Sequence, residues 1–193
     1  MRLVLMGEIA SGKDYIRNYL INHYDFKKIV TYTTRPMRDK EVDGETYHFL
    51  SEKEFFEKKE KGFFLEIQEY NTKYGVWYYG TSKDICLDDN TVIILDKDGW
   101  IEYSKIAKNY SIFLSSPQKE ERFYRALTRE KNITNETVEE VYRRINTDRE
   151  KFQDIYDMVD FVVPQFYNED TLNVLDHVMK KLGVEKRWVL MNF

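Results

Sequence analysis

Residues Gly7, Glu8, Ile9, Ala10, Ser11, Gly12, Lys13 and Asp14 follow the spacing G-x-x-x-x-G-K. A glycine turn of that length between a buried strand and a helix points backbone N–H groups inward, and the helix N-terminus adds positive potential, so phosphate is favoured there. Lys13 would bridge the outer phosphates of a nucleotide. The pattern ordinarily ends in a hydroxyl that holds Mg²⁺, and here Asp14 takes that place. A carboxylate beside phosphates repels them unless a cation lies between, yet it is also a good oxygen ligand, direct or through water, for Mg²⁺. Glu8 brings a second acid into the same loop.

The next stretch rich in chemistry is "TYTTRPMRDKEVDGETYHF", followed by "FLE" and "YYGT". Guanidinium groups pair with phosphate as planar forks, so Arg35 and Arg38, with the hydroxyls of Tyr47 and Tyr79, suit the phosphate of a monophosphate. With "TTRPMR", "DGETYHF", "FLE" and "YYGT" in that order, the chain resembles the guanylate kinase family. The likeness runs from the phosphate loop to "ILDKD", Ile94 to Asp98, about half the chain, and continues weakly beyond it. "SGKD" itself resembles the loops of some active P-loop kinases, certain phage deoxynucleotide kinases and phosphomevalonate kinases among them.

The resemblance implies that Thr31, Arg35, Arg38, Tyr47, Glu66, Tyr79, Thr81 and Asp98 bind GMP. The chemistry agrees, since the guanine edge offers N1–H and N2–H₂ donors beside the O6 acceptor. Ionised Glu66 and Asp98 match the donors, and the Thr31 and Thr81 hydroxyls can donate to O6. The stretch "IQEYNTKYGVWY" makes the hairpin before "YYGT" longer than the family's usual one.

Phosphoryl transfer needs positioning and charge neutralisation more than a covalent catalyst. Lys13 would supply part of this. Asp96, closing the run "VIIL", stands where an acid can hold a metal's water shell, so Asp14 and Asp96 are the expected Mg²⁺ residues. Arg125, Arg129, Arg144 and Arg149 lie on two charged helical stretches meeting near "KNITN", where Thr134 is placed to cap the second. Arg129 and Arg144 are the expected catalytic arginines of a closing lid. The family's "GRG" segment is replaced by "TREKN", and its Asn-Asp near the adenine pocket by Pro164 and Gln165, so contacts to the donor base are expected to be mostly backbone.

These residues need a scaffold, and the apolar runs provide one. "LVLM" (3–6), "VIIL" (92–95), "SIFL" (111–114) and "FVV" (161–163) read as buried strands of a parallel sheet, with helical stretches such as "KDYIRNYLINHY" between or after them. Between 31 and 82 the pattern changes to strand pieces around one charged helix, "SEKEFFEKKEKG". The expected fold is α/β: a three-layer P-loop kinase core (1–30, 83–124, 145–193), a small mixed α/β nucleotide-binding insertion (31–82) and a helical lid (125–144), all in one domain of 193 residues.

A content of 42% hydrophobic residues supports one sizeable core, and a net charge of −4 argues against general nucleic-acid affinity. No apolar run reaches the length of a membrane span, and the first residues lack a signal peptide's long apolar stretch, so a cytoplasmic protein without membrane partners is expected. The single cysteine, Cys86, excludes an internal disulfide and is read as structural, as are His23, His48 and His177. The tail around Trp188 suits either packing on the core or a dimer contact, so monomer and homodimer both stay open. The expected activity is ATP-dependent phosphorylation of GMP or dGMP. The alternatives are a binding module that has lost activity, and a kinase for another nucleoside monophosphate.

Overall fold

The computed structural model describes residues 1–39, 41–84, 89–116, 118–130, 132–165 and 169–187. Cys86 and the tail around Trp188 lie outside the described residues.

Five strands form a wholly parallel sheet: β1 (Arg2–Gly7), β2 (Lys27–Lys28), β7 (Thr91–Ile94), β8 (Tyr110–Ser115) and β9 (Phe161–Pro164), in the order β2-β7-β1-β8-β9. The alternation of side chains along a strand sends Leu3 and Leu5 to one face and Val4 and Met6 to the other, and all four are fully buried. That is why β1 reads as an unbroken apolar run rather than an alternating one. On the Leu3/Leu5 face, α1 (Lys13–Tyr24) contributes Ile16 and Leu20, and α6 (Glu169–Lys181) contributes Leu175 and Met179. The opposite face packs Ile93 and Phe113 against Tyr103 of α3 (Lys97–Ser104) and against Phe152 and Ile155. The result is the expected three-layer core, with an apolar layer on each side of the sheet.

A second, four-stranded sheet lies within 31–82: β3 (Tyr32–Thr33), β4 (His48–Phe49), β5 (Phe64–Thr72) and β6 (Gly75–Ser82), in the order β4-β3-β6-β5. Helix α2 (Glu52–Glu60) opens with Ser51 and Glu54 as a reciprocal capping box and buries Phe55, which stacks on Phe64 at 4.5 Å. The long hairpin stays in regular register from Glu66↔Thr81 to Thr72↔Gly75, so its extra length projects beyond the site instead of displacing it.

Helices α4 (Lys119–Leu127) and α5 (Asn135–Lys151) account for the two charged stretches, and Thr134 and Thr137 cap α5 reciprocally. Such a cap stabilises a helix by about 1 kcal/mol. The hairpin tip reaches α5 through the ion pair of Lys73 with Glu139 and the 3.4 Å contact of Tyr74 Oη with Thr137 Oγ1. Among the described residues no helix is long and apolar enough to cross a membrane.

Candidate active site

The loop from Gly7 to Lys13 leaves the carboxyl end of the central strand, which is where open parallel sheets bind ligands. Gly12 lies at φ 89° as it enters α1, a conformation that disfavours any residue with a Cβ. Lys13 is folded back on the loop, donating to the carbonyls of Gly7 (2.7 Å) and Glu8 (2.8 Å). Burial pushes its ammonium below the usual lysine range, against the pull of Asp148 and Asp14. Ser11 is fully buried and its hydroxyl has no partner.

Three neighbours of the loop were not singled out in the sequence. Asp148 of α5 accepts the Ile9 N–H at 2.5 Å, and burial raises its carboxyl, with Lys13 opposing. Arg122 of α4, buried, approaches the Glu8 carboxylate to 3.2 Å. Arg17, one turn into α1, pairs with Asp14 at 2.8 Å. No pattern marked them, because each looks like one charge among many on a helix surface.

A cavity of about 230 Å³ opens beside the loop and is lined by Lys13, Thr31, Tyr47, Glu66, Tyr79, Thr81, Asp96, Arg144 and Asp148. Strand pairing sets Glu66 opposite Thr81, and the Thr81 hydroxyl donates to Glu66 Oε1 at 2.6 Å. Thr81, expected as a donor to O6, is thus a donor to Glu66 here. Glu66 Oε2 is buried with no well-formed hydrogen bond, and burial raises the carboxyl above its ordinary range, with Thr81 and the nearby Gln68 side chain opposing. An unpaired buried oxygen of this kind costs about 1–3 kcal/mol, which a bound donor would recover.

Asp96 caps α3 by accepting the Gly99 N–H at 2.8 Å, accepts Lys151 Nζ at 2.6 Å, and receives the Tyr70 hydroxyl. Its oxygens face these groups. Asp98 is exposed, pairs with Lys151 at 3.0 Å and does not line the cavity.

A second cavity, of about 910 Å³, brings Asp14 and Arg17 together with Arg35, Arg38, Arg129 and Arg144. Arg35 is buried and engaged: Nε donates to the Tyr79 hydroxyl (3.1 Å), Nη1 to Pro36 O and Nη2 to Glu41 (2.7 Å). Arg38 meets Glu130 at 2.9 Å, and burial together with Arg35 pulls its guanidinium below the usual range. Like charges gathered in one wall favour an anion between them. Of the other arginines expected in the lid, Arg125 pairs with Glu121 on its own helix, and Arg149 is exposed and lines neither cavity.

A phosphate cradle at the carboxyl edge of a parallel sheet, a lysine at the head of the following helix and an arginine-lined chamber beyond it define a P-loop kinase fold. A family model described as guanylate kinase matches residues 1–182. The chain is 30% identical to the guanylate kinase of Malacoplasma penetrans, over 96% of this chain and 95% of that protein. It is 34% identical to the guanylate kinase of Clostridium acetobutylicum over 62% of this chain, a match spanning 58% of the relative's length. The crystal structure of guanylate kinase from Anaplasma phagocytophilum superposes with a TM-score of 0.68 at 24% identity, covering 95% of this chain and 84% of that one, a likeness of fold. The chain belongs to the guanylate kinase family.

Proposed function

We propose that this chain transfers the γ-phosphoryl group of ATP to GMP or dGMP. The observation that carries the reading is Glu66, a buried carboxylate that lines a cavity shared with Lys13. A carboxylate accepts only, so it selects an edge with donors, which guanine has and adenine lacks at the matching positions. Thr31 and Tyr47 line the same wall, while Arg35, Arg38 and Tyr79 would receive the acceptor phosphate once Glu41 and Glu130 yield their guanidiniums.

On the donor side, the loop amides and Lys13 would hold the ATP phosphates, with Arg129 and Arg144 facing the transferred group. The metal this transfer would use is Mg²⁺, which would supply positive charge against the phosphates of the nucleotide. Among the described residues no three acidic or imidazole side chains form a metal cage. One exposed carboxylate, Asp14, stands at the head of α1 with Arg17 on one oxygen, which fits an ion carried mainly by the nucleotide.

The division into core (1–30, 83–124, 145–193), acceptor insertion (31–82) and lid (125–144), which would close on the two nucleotides, is part of this proposal: the separate four-stranded sheet supports the insertion, while α4 and α5 each run across a lid boundary. One cysteine and no membrane-length apolar helix among the described residues suit the cytoplasm. The test is ADP release from Mg·ATP with GMP, dGMP, AMP, CMP, UMP and dTMP offered separately. Turnover with GMP or dGMP alone is expected. Equal turnover with AMP would overturn the role of Glu66.

A further inference from the structure

Asp14 is the oddest residue of the loop, and its partner is as unusual as itself. Its carboxylate turns along α1 to Arg17 Nη2, at 2.8 Å, three residues on and so one turn away on the same face. That turn faces the larger cavity. Arg17 is only 12% exposed, and its Nε–H is buried without a partner. Arg35 and Arg38 stand in the same cavity wall, each already holding a carboxylate, Glu41 and Glu130 respectively. Arg17 and Arg38 are each held by one carboxylate, whereas Arg35 is bonded through Nε, Nη1 and Nη2. Its charge also reaches Tyr47, whose hydroxyl burial pushes up to about 12 and which Arg17 draws back down.

We propose that Arg17 is a phosphate-binding residue of the acceptor site, and that Asp14 is the positioning residue that aims it. The inference rests on the kinase reading above and names a contact that reading does not contain. Electrostatics explain the pairing. A lone carboxylate after Lys13 would repel both phosphates, whereas the Asp14–Arg17 pair is neutral overall and keeps a guanidinium in the wall of the larger cavity. Asp14 is exposed beyond its contact with Arg17, so a metal-bound water can also reach its carboxylate and the two roles are compatible.

The test is calorimetric binding of GMP and of guanosine, without ATP, to the wild type and to Arg17→Leu, Arg17→Lys and Asp14→Asn, with thermal melts confirming that each variant folds. Arg17→Leu should weaken GMP at least tenfold and leave guanosine within twofold, because only GMP carries the phosphate. Arg17→Lys should recover part of the loss, and Asp14→Asn should weaken GMP in the same sense without altering guanosine. In turnover, KM for GMP should rise in Arg17→Leu, while Arg17→Lys, which keeps a positive charge beside Asp14, should leave KM for Mg·ATP within twofold. Unchanged GMP binding by Arg17→Leu, or an equal loss for guanosine, would overturn the role of Arg17. A raised Mg²⁺ requirement in Asp14→Asn with GMP binding intact would overturn the positioning role of Asp14. A wild type that binds no GMP would instead bring down the kinase reading, and this contact with it.

Discussion

Asp148 Oδ2 sits on the backbone N–H of Ile9 at 2.5 Å, so a carboxylate from α5 occupies a donor that the phosphate loop would offer to ATP. The contact ties α5 to the loop, and ATP has to displace it. A bond to a charged group contributes about 1.5–3 kcal/mol, so Asp148→Ala is expected to tighten ATP binding on the order of tenfold. The difference should depend on pH. Burial raises the Asp148 carboxyl, so it loses its charge at a higher pH than an ordinary aspartate, and wild-type affinity should approach that of the variant as pH falls through this raised value. Fluorescence titration with an ATP analogue between pH 5 and 8 checks this. A wild type and variant with identical affinities throughout would remove Asp148 as a competitor.

Glu66→Gln should separate binding from stability. Loss of one charge-assisted contact is expected to weaken GMP by about 1–3 kcal/mol, read as Kd in calorimetry. In the free protein the sign reverses. Burial raises the folded pKa of Glu66 above its unfolded value, so the stability linked to its proton is present at low pH and is lost as pH rises through the raised value. The variant has no such proton. Its melting temperature should therefore lack that fall and lie above the wild type's at neutral pH. GMP affinity of the wild type runs the other way, weakening as pH drops and Glu66 takes up its proton.

Local pattern explains what could be read from the chain and what could not. The run Leu3 to Met6 and the glycine loop after it are local signals, so the central strand, the cradle and α1 were legible. Glu66 and Thr81 are 15 residues apart, yet a hairpin joins them, and strand pairing brings them together. The strands Lys27–Lys28 and Tyr32–Thr33 were not legible, since two residues carry no period. Partner choice was hidden as well. Arg122, Asp148 and Lys151 lie on helices rich in charge, and only the folding of α4 and α5 over the loop and the sheet edge tells them from solvated neighbours. Asp98, two residues beyond Asp96, turns outward because α3 begins between them.

Gly80→Ala should destabilise the acceptor side specifically. A Cβ there would lie 2.7 Å from Phe64 Cδ1, and Phe64 is itself stacked on Phe55, so the ring has little room to retreat. Overpacking of this kind costs about 1–3 kcal/mol. Gly80 pairs with Ile67 in the register that sets Glu66 beside Thr81, so KM for GMP should rise with the loss of melting temperature, while ATP binding changes little. A variant as stable as the wild type would mean that β5 shifts freely against β6.

Lys13→Ala tests the loop without disturbing the acceptor cavity. The ammonium donates only to the Gly7 and Glu8 carbonyls of its own loop, and burial already disfavours its charge, so its removal should lower the melting temperature little. Its loss leaves the charge of the transferring phosphate uncompensated, and turnover with Mg·ATP and GMP should fall at least a thousandfold, by analogy with other charge-stabilising groups worth about 2.7–4 kcal/mol or more. GMP affinity should stay within threefold, because the Glu66 side of the cavity is untouched. Retained turnover would break the assignment of Lys13. Loss of GMP binding alongside turnover would instead place the acceptor phosphate in the cradle read here as the donor's, so calorimetry and turnover have to be measured on the same preparation.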